Sequence, residues 1–208
     1  MSKTEYRQYS ASSCVKIEII YNELKEILKN EDWKSCMEMD KLMKKLEDYI
    51  RLENSYKTTS KTRVNAIKRI ASKLEIRPAL RGYGNVAGYQ VVTDLYHLVA
   101  IHQENMPLEL KDNYPNVESI IKYDTSNEIP MIDLDDLIGF IKTHKKDKDK
   151  LYKITIEDKD YFYNAEYLKN VIDVLGKDSK VYFQNEYSPL VFVNDKDEIG
   201  LVLPIKKY

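Results

Sequence analysis

An α+β fold follows from three features of the sequence. Apolar residues recur at helical spacing through the first 74 residues, Arg77-Pro78 breaks that pattern, and beyond it segments rich in Val, Tyr and Thr are punctuated by glycine turns. These features divide the chain into a helical N-terminal extension, 1–74, and a domain of β-α-β-β-β units, 75–208.

The opening stretch to about Cys14 is polar and Ser-rich and reads as a tail. From Val15 to Lys29, Ile17, Ile20, Leu24, Ile27 and Leu28 form the stripe of an amphipathic helix. A second helix is expected from Ser35 to Glu53 on Met39, Leu42, Leu46, Tyr49 and Ile50, with the polar run Asn54 to Ser60 interrupting it. A Ser/Thr cap then opens a third, Lys61 to Leu74, with Val64, Ile67, Ile70, Ala71 and Leu74 facing inward.

After Pro78, strands are expected at Ala79 to Tyr83, Tyr89 to Asp94 and Leu98 to Ile101, with Gly82 to Gly88 as the turn between the first two. A proline-punctuated link covers Asn105 to Asp124. Met131 to Lys142 reads as a helix capped by Asp133, its acidic residues at the positive end of the dipole and Lys142 at the negative end. The run KTHKKDKDK is a solvated loop, because Asp147 and Asp149 interleave with the lysines. Strands at Tyr152 to Glu157 and Asp160 to Tyr163 lead into a helix capped by Asn164 and stopped by Gly176. Strands at Lys180 to Gln184, Leu190 to Asn194 and Ile199 to Ile205 complete the chain.

Composition narrows function by exclusion. With 33 basic and 34 acidic residues the formal charge is -1, so no whole-molecule field recruits nucleic acid, and any positive surface requires lysines gathered on one face. Two cysteines, Cys14 and Cys36, and three scattered histidines show no metal-ligand spacing, and no cofactor is expected. No G-x-S-x-G, phosphate-cradling glycine loop or H-E-x-x-H is present, so an enzyme is not expected. Without an apolar leader or an 18-residue apolar run, the protein is expected to be cytoplasmic, with free thiols.

Several segments carry a more specific likeness. FYNAEYLKNVIDVLG followed by KVYF, SPLVFV and GLVLPIKKY resembles the last repeat of the bacterial DNA polymerase III β subunit, the sliding clamp. There a strand feeds an N-x-x-Y-L helix and the chain closes on a V-x-P-x-R-like strand; the matching residues are Asn164, Tyr167, Leu168, Ser188, Pro189 and Leu201 to Lys206. RPALRG at Arg77 to Gly82 resembles the clamp strand carrying an L-x-G. VVTDLYHLVAI at Val91 to Ile101 resembles its A-T-D-x-x-R-L-A strand, and YPNVESII at Tyr114 to Ile121 its F-P-D-Y segment.

The resemblance implies a non-enzymatic DNA-replication accessory protein. In the family these segments converge on an apolar pocket that receives a linear peptide containing Gln, Leu and Phe from polymerases, clamp loaders and repair proteins. Carried over, the pocket is Leu80, Thr93, Leu98, Pro115, Ile120, Leu201, Leu203 and Pro204, residues that would otherwise be plain core. Double-stranded DNA would be met without sequence reading by Lys61, Arg63, Lys68, Arg69, Lys73 and, more weakly, Lys169, although a solvated helix face explains the same charges.

Departures from the family are visible. His97 stands where Arg is usual, Ser119 where Arg is frequent, and His102 to Asn113 is too short for the helix the family's middle domain has there. The chain reads as a condensed clamp that needs several copies, a homo-oligomer, to close a ring, and such a form suits a phage or mobile element. It would either tether partners to DNA or compete for them. Two alternatives remain: a helix-turn-helix regulator using 61–84, with Pro78 and the glycines arguing against its second helix, and a phage-encoded inhibitor of a host factor.

Overall fold

The computed structural model describes residues 21, 22, 25, 37–71, 75–147 and 150–206. The tail, most of the helix expected at Val15 to Lys29, and Lys73 and Leu74 lie outside the described residues. The chain forms two compact units, one of residues 1–59 with 104–108, the other of 60–103 with 109–208. The division thus falls before the third expected helix, which groups with the strands.

In the first unit, helix α1 runs Met37–Thr58. It continues through the polar stretch where an interruption is expected. The buried Ser55 hydroxyl explains this: it lies 2.9 Å from the Arg51 carbonyl and 2.8 Å from that of Asn105, so its polarity is satisfied inside the unit. Asn54 accepts from Lys57 one turn on, at 2.9 Å.

The second unit is built on a seven-stranded antiparallel sheet: β1 (Gly84–Val86), β2 (Tyr89–Thr93), β3 (His97–Ile101), β4 (Glu128–Ile129), β7 (Lys180–Tyr182), β8 (Leu190–Val193) and β9 (Ile199–Val202). Their order is β1-β2-β3-β9-β8-β7-β4. A separate hairpin pairs β5 (Leu151–Ile156) with β6 (Lys159–Asn164). Glu157 and Asp158 turn this hairpin with positive φ, as a two-residue loop of matched twist requires.

Helices α2 (Lys61–Ile70), α3 (Leu134–Thr143) and α4 (Ala165–Leu175) complete the unit, with caps at Ser60, Asp133 and Asn164. The α2 and α4 helices pack on each other and on the sheet. Strands β3, β8 and β9 are buried along their whole length, which is why they read as continuous apolar runs rather than alternating ones. Val91, Leu98, Ala100, Val191, Ile199 and Leu201 point to one face, where Val117 and Ile121 of the proline-punctuated link cover them. On the other face Gly200 lets α4 approach: a Cβ there would overlap Val171 Cγ1 and lie 2.8 Å from Leu175 Cδ1.

Three expectations need correction here. Ala79 to Tyr83 is not a strand, because Pro78 heads a 3-10 turn, Pro78–Arg81, and β1 starts only at Gly84. The turn is displaced accordingly, to Ala87 and Gly88; Gly84 serves instead to admit the Tyr114 ring, which fills the place of its missing side chain. The recognition helix of a helix-turn-helix is not formed either, since the described residues after α2 pass through that 3-10 turn into β1. No helix among the described residues is long and apolar enough to cross a membrane.

Candidate functional site: an apolar cavity beside the β2–β3 turn

At the end of β2 the chain reverses over Asp94, Leu95 and Tyr96. Asp94 Oδ1 accepts from the backbone N–H of Tyr96 at 2.9 Å and of His97 at 3.0 Å, while the Thr93 hydroxyl donates to the His97 carbonyl at 2.7 Å and accepts from the Leu95 N–H at 2.9 Å. This short-range bonding holds Leu95 at φ +83, a conformation that a leucine adopts only when its surroundings impose it. Leu203 N–H donates to the Tyr96 carbonyl at 2.9 Å, so the segment leaving β9 is bound to the same turn.

The result is a cavity of about 120 Å³ lined by Thr93, Leu95, Tyr96, His97, Leu98, Val117, Ile120, Pro189, Leu201 and Leu203. Leu98 and Leu201 face each other across the β3–β9 ladder and form its floor. Leu95, Tyr96, Ile120 and Leu203 surround the mouth, each at least 40% exposed. They are four of the nine large apolar residues exposed among the described ones, so the mouth of the cavity is an exposed apolar patch rather than scattered surface carbon.

One wall is polar and tightly bonded. His97, 2% exposed, places Nδ1 2.8 Å from Asp94 Oδ1 and stacks on Tyr167, with ring centroids 4.3 Å apart. Burial works to raise the Asp94 carboxyl, but the bonds from the His97 side chain and the turn's N–H groups outweigh it and hold that group below the ordinary aspartate value. Tyr167 reaches the wall because Asn164 caps α4, accepting from Glu166 N–H at 2.9 Å and Tyr167 N–H at 3.3 Å. The N-x-x-Y pair of the sequence therefore supports the wall from behind.

Of the eight residues expected in a pocket, the structure gathers Thr93, Leu98, Ile120, Leu201 and Leu203 around this cavity. The other three lie elsewhere. Leu80 is buried in the 3-10 turn, and Pro115 is half-buried in the link without lining the cavity. Pro204 lines a different cavity, of about 290 Å³, with Asp160, Tyr161, Phe162, Glu186, Tyr187 and Lys206. Leu95, Tyr96 and Val117 escaped sequence reasoning. Their signal was Leu95-Tyr96 itself, two large apolar residues at a turn where polar ones are usual.

The expected DNA-facing set divides further. Arg63 points inward: its guanidinium donates to Glu198 at 2.9 and 2.6 Å, to the Val174 carbonyl at 2.6 Å and to Gln103 at 3.1 Å. Glu198, fully buried, also accepts from His102 N–H and Asn194. Its carboxyl is raised by burial but lowered more by Arg63 and these donors, for a net value below the ordinary one. A guanidinium so placed carries the packing of α2 and is not offered to phosphate. Arg69 and Lys169 both bind Asp173, at 2.8 and 2.5 Å, Lys61 and Lys68 are exposed, and Lys73 lies outside the described residues.

No family model matches the sequence. No curated protein matches it either. Solved structures do match. They include the Caulobacter crescentus β sliding clamp, solved with PEG bound at a proposed β-motif tethering region, at TM-score 0.53 and 16% identity over 70% of this chain and 63% of that one. The Bartonella birtlesii sliding clamp bound to griselimycin matches at TM-score 0.53 and 12% identity, over 70% of this chain and 64% of that one. The DNA polymerase III β chain of Streptococcus pneumoniae matches at TM-score 0.51 and 15% identity, over 71% and 62%. The chain thus spans less than two thirds of the length of each of these clamps, and over about 70% of its own length it has the fold of the bacterial β sliding clamp.

Proposed function

We propose that this protein is a non-enzymatic, sliding-clamp-like accessory factor of DNA replication that docks a linear peptide of a polymerase or clamp-loader type partner in the cavity beside the β2–β3 turn. The observation that carries the reading is the coincidence of three things at one place: the clamp fold, a side-chain-sized apolar cavity, and a ring of exposed Leu95, Tyr96, Ile120 and Leu203 around its mouth. An apolar anchor entering such a cavity gains roughly 1.5–3 kcal/mol from burial alone, enough to dominate a short peptide's affinity.

Nonspecific contact with duplex DNA, through Lys61 and Lys68 on α2 together with Arg69 and Lys169, belongs to the same reading, as does assembly into a homo-oligomer. Tethering partners to DNA requires that assembly; competing for them requires only the cavity. A phage or mobile-element setting would suit a clamp of this reduced length.

The test is a fluorescence-anisotropy titration with a labelled peptide carrying Gln, Leu and Phe. Leu203→Asp puts a carboxylate at the mouth of the cavity and is expected to weaken binding by more than about tenfold, since an unpaired charge facing an apolar anchor costs more than about 1.4 kcal/mol. Leu203 is 40% exposed, so the fold survives the change. Equal binding by the wild type and Leu203→Asp contradicts the proposal.

A further inference from the structure

Leu95 occupies a backbone conformation that suits a glycine. Among the described residues, five other than glycine have positive φ. Ala87, Glu157, Asp158 and Asp197 lie between +49 and +62, in or at the border of the left-handed region that single turn residues visit. Leu95 stands apart at +83, beside the +85 of Gly88, and it is the one bulky apolar side chain of the five. A large side chain at such a φ is strained whatever space surrounds it.

The fold itself does not call for a leucine there. The turn is held by the Thr93 hydroxyl, which accepts from the Leu95 N–H at 2.9 Å, and by Asp94 Oδ1, which accepts from the N–H groups of Tyr96 and His97. All three donors are backbone groups, so a glycine at this position would keep every bond and relieve the φ. Nor is the side chain part of the core: it is 46% exposed and recovers only part of what full burial of a leucine yields. What it does is wall the cavity, whose lining is almost entirely apolar and whose volume is about 120 Å³. A closed cavity of about 150 Å³ holds a benzene molecule, so the smaller volume has room for one aliphatic side chain and not for an aromatic ring seated to its full depth.

We propose that Leu95 is a specificity-determining residue of the docking cavity: its side chain, kept despite a strained backbone, narrows the cavity to a single aliphatic anchor and turns away aromatic ones. This rests on the function proposed above and adds to it the class of side chain that is accepted. In a peptide carrying both Leu and Phe, the Leu is then the residue that enters. Two substitutions separate the strain from the wall. Leu95→Gly removes both. Leu95→Ala removes the wall but keeps a Cβ at positive φ, so the strain stays.

The experiment compares the whole chain as wild type, Leu95→Gly and Leu95→Ala in two assays. Calorimetry should place the melting temperature of Leu95→Gly about 2–4 °C above the wild type, which is the relief of strain less glycine's greater freedom in the unfolded chain, and that of Leu95→Ala at or below the wild type. Anisotropy uses two labelled versions of the Gln-, Leu- and Phe-containing peptide, one with its Phe changed to Leu and one with its Leu changed to Phe. The wild type should bind the aliphatic version about tenfold more tightly, and both variants should bring the two versions within about threefold of each other. A melting temperature of Leu95→Gly at or below the wild type, or an unchanged preference in both variants, overturns the proposal and leaves docking intact. Failure of all three proteins to bind either peptide contradicts the docking reading itself, and the proposal with it.

Discussion

Replacing Arg63 by alanine should be among the most damaging single changes available in the second unit. The side chain is mostly buried, and its loss strands Glu198, which is fully buried and would keep only the His102 N–H and Asn194 as donors. Removing one partner of a buried pair costs about 3–5 kcal/mol, because the remaining charge is neither solvated nor matched. The Val174 carbonyl and Gln103 lose a donor as well, which places Arg63→Ala at the upper end of that range. For a chain of this size each kcal/mol is worth about 2–4 °C, so the melting temperature should fall by roughly 6–20 °C. Glu198→Gln keeps an acceptor for His102 and for one guanidinium N–H and should lose less than half as much. Differential scanning calorimetry reads both. A shift under about 2 °C for Arg63→Ala would show that the pair does not carry the packing of α2, and would reopen Arg63 as a surface cation.

Three more expectations follow from the geometry. Because the Glu198 and Asp94 carboxyls are both held below their ordinary values in the folded protein, each contributes stability that is complete above the unfolded-state values, about 4.3 and 3.9, and is lost as pH falls through the lowered folded values. Denaturation curves from pH 7 to pH 3 should show that loss, and Glu198→Gln should flatten it. Gly200→Ala forces a Cβ against Val171 and Leu175 and should cost about 1–3 kcal/mol in the same assay by pushing α4 off the sheet, whereas no loss would mean α4 does not sit as close as described. Sedimentation with and without nicked circular DNA separates the two versions of the function: a closed oligomer retained on the circle supports tethering, and a monomer that never co-sediments supports competition.

Legibility in the sequence tracked how local each cause is. The α4 helix was readable end to end because Asn164 and Gly176 act within one turn of the residues they cap. Strands β8 and β9 were readable as apolar runs because both of their faces are covered. By contrast, α1 overran its expected end because Ser55 bonds the carbonyl of Asn105, 50 residues away, and β1 was misplaced because Gly84 answers to Tyr114 rather than to a turn. The cavity shows the same division. Thr93, Leu98, Leu201 and Leu203 could be named because they sit in short segments that resemble clamp motifs. Leu95 and Tyr96 could not, since their exposure depends on the Asp94 and Thr93 side chains fixing the turn. Arg63 looked like its neighbours on α2 until Glu198, 135 residues on, gave it a partner.

The cavity beside the β2–β3 turn is proposed to receive an apolar anchor from another protein. Methyl NMR of the Leu- and Ile-labelled chain, titrated with the peptide, tests it directly. The methyls of Leu95, Leu98, Ile120, Leu201 and Leu203 are expected to shift together and saturate at one affinity, while those of Leu80 and Leu137 stay still. Shifts centred elsewhere, or none at millimolar peptide, would contradict it.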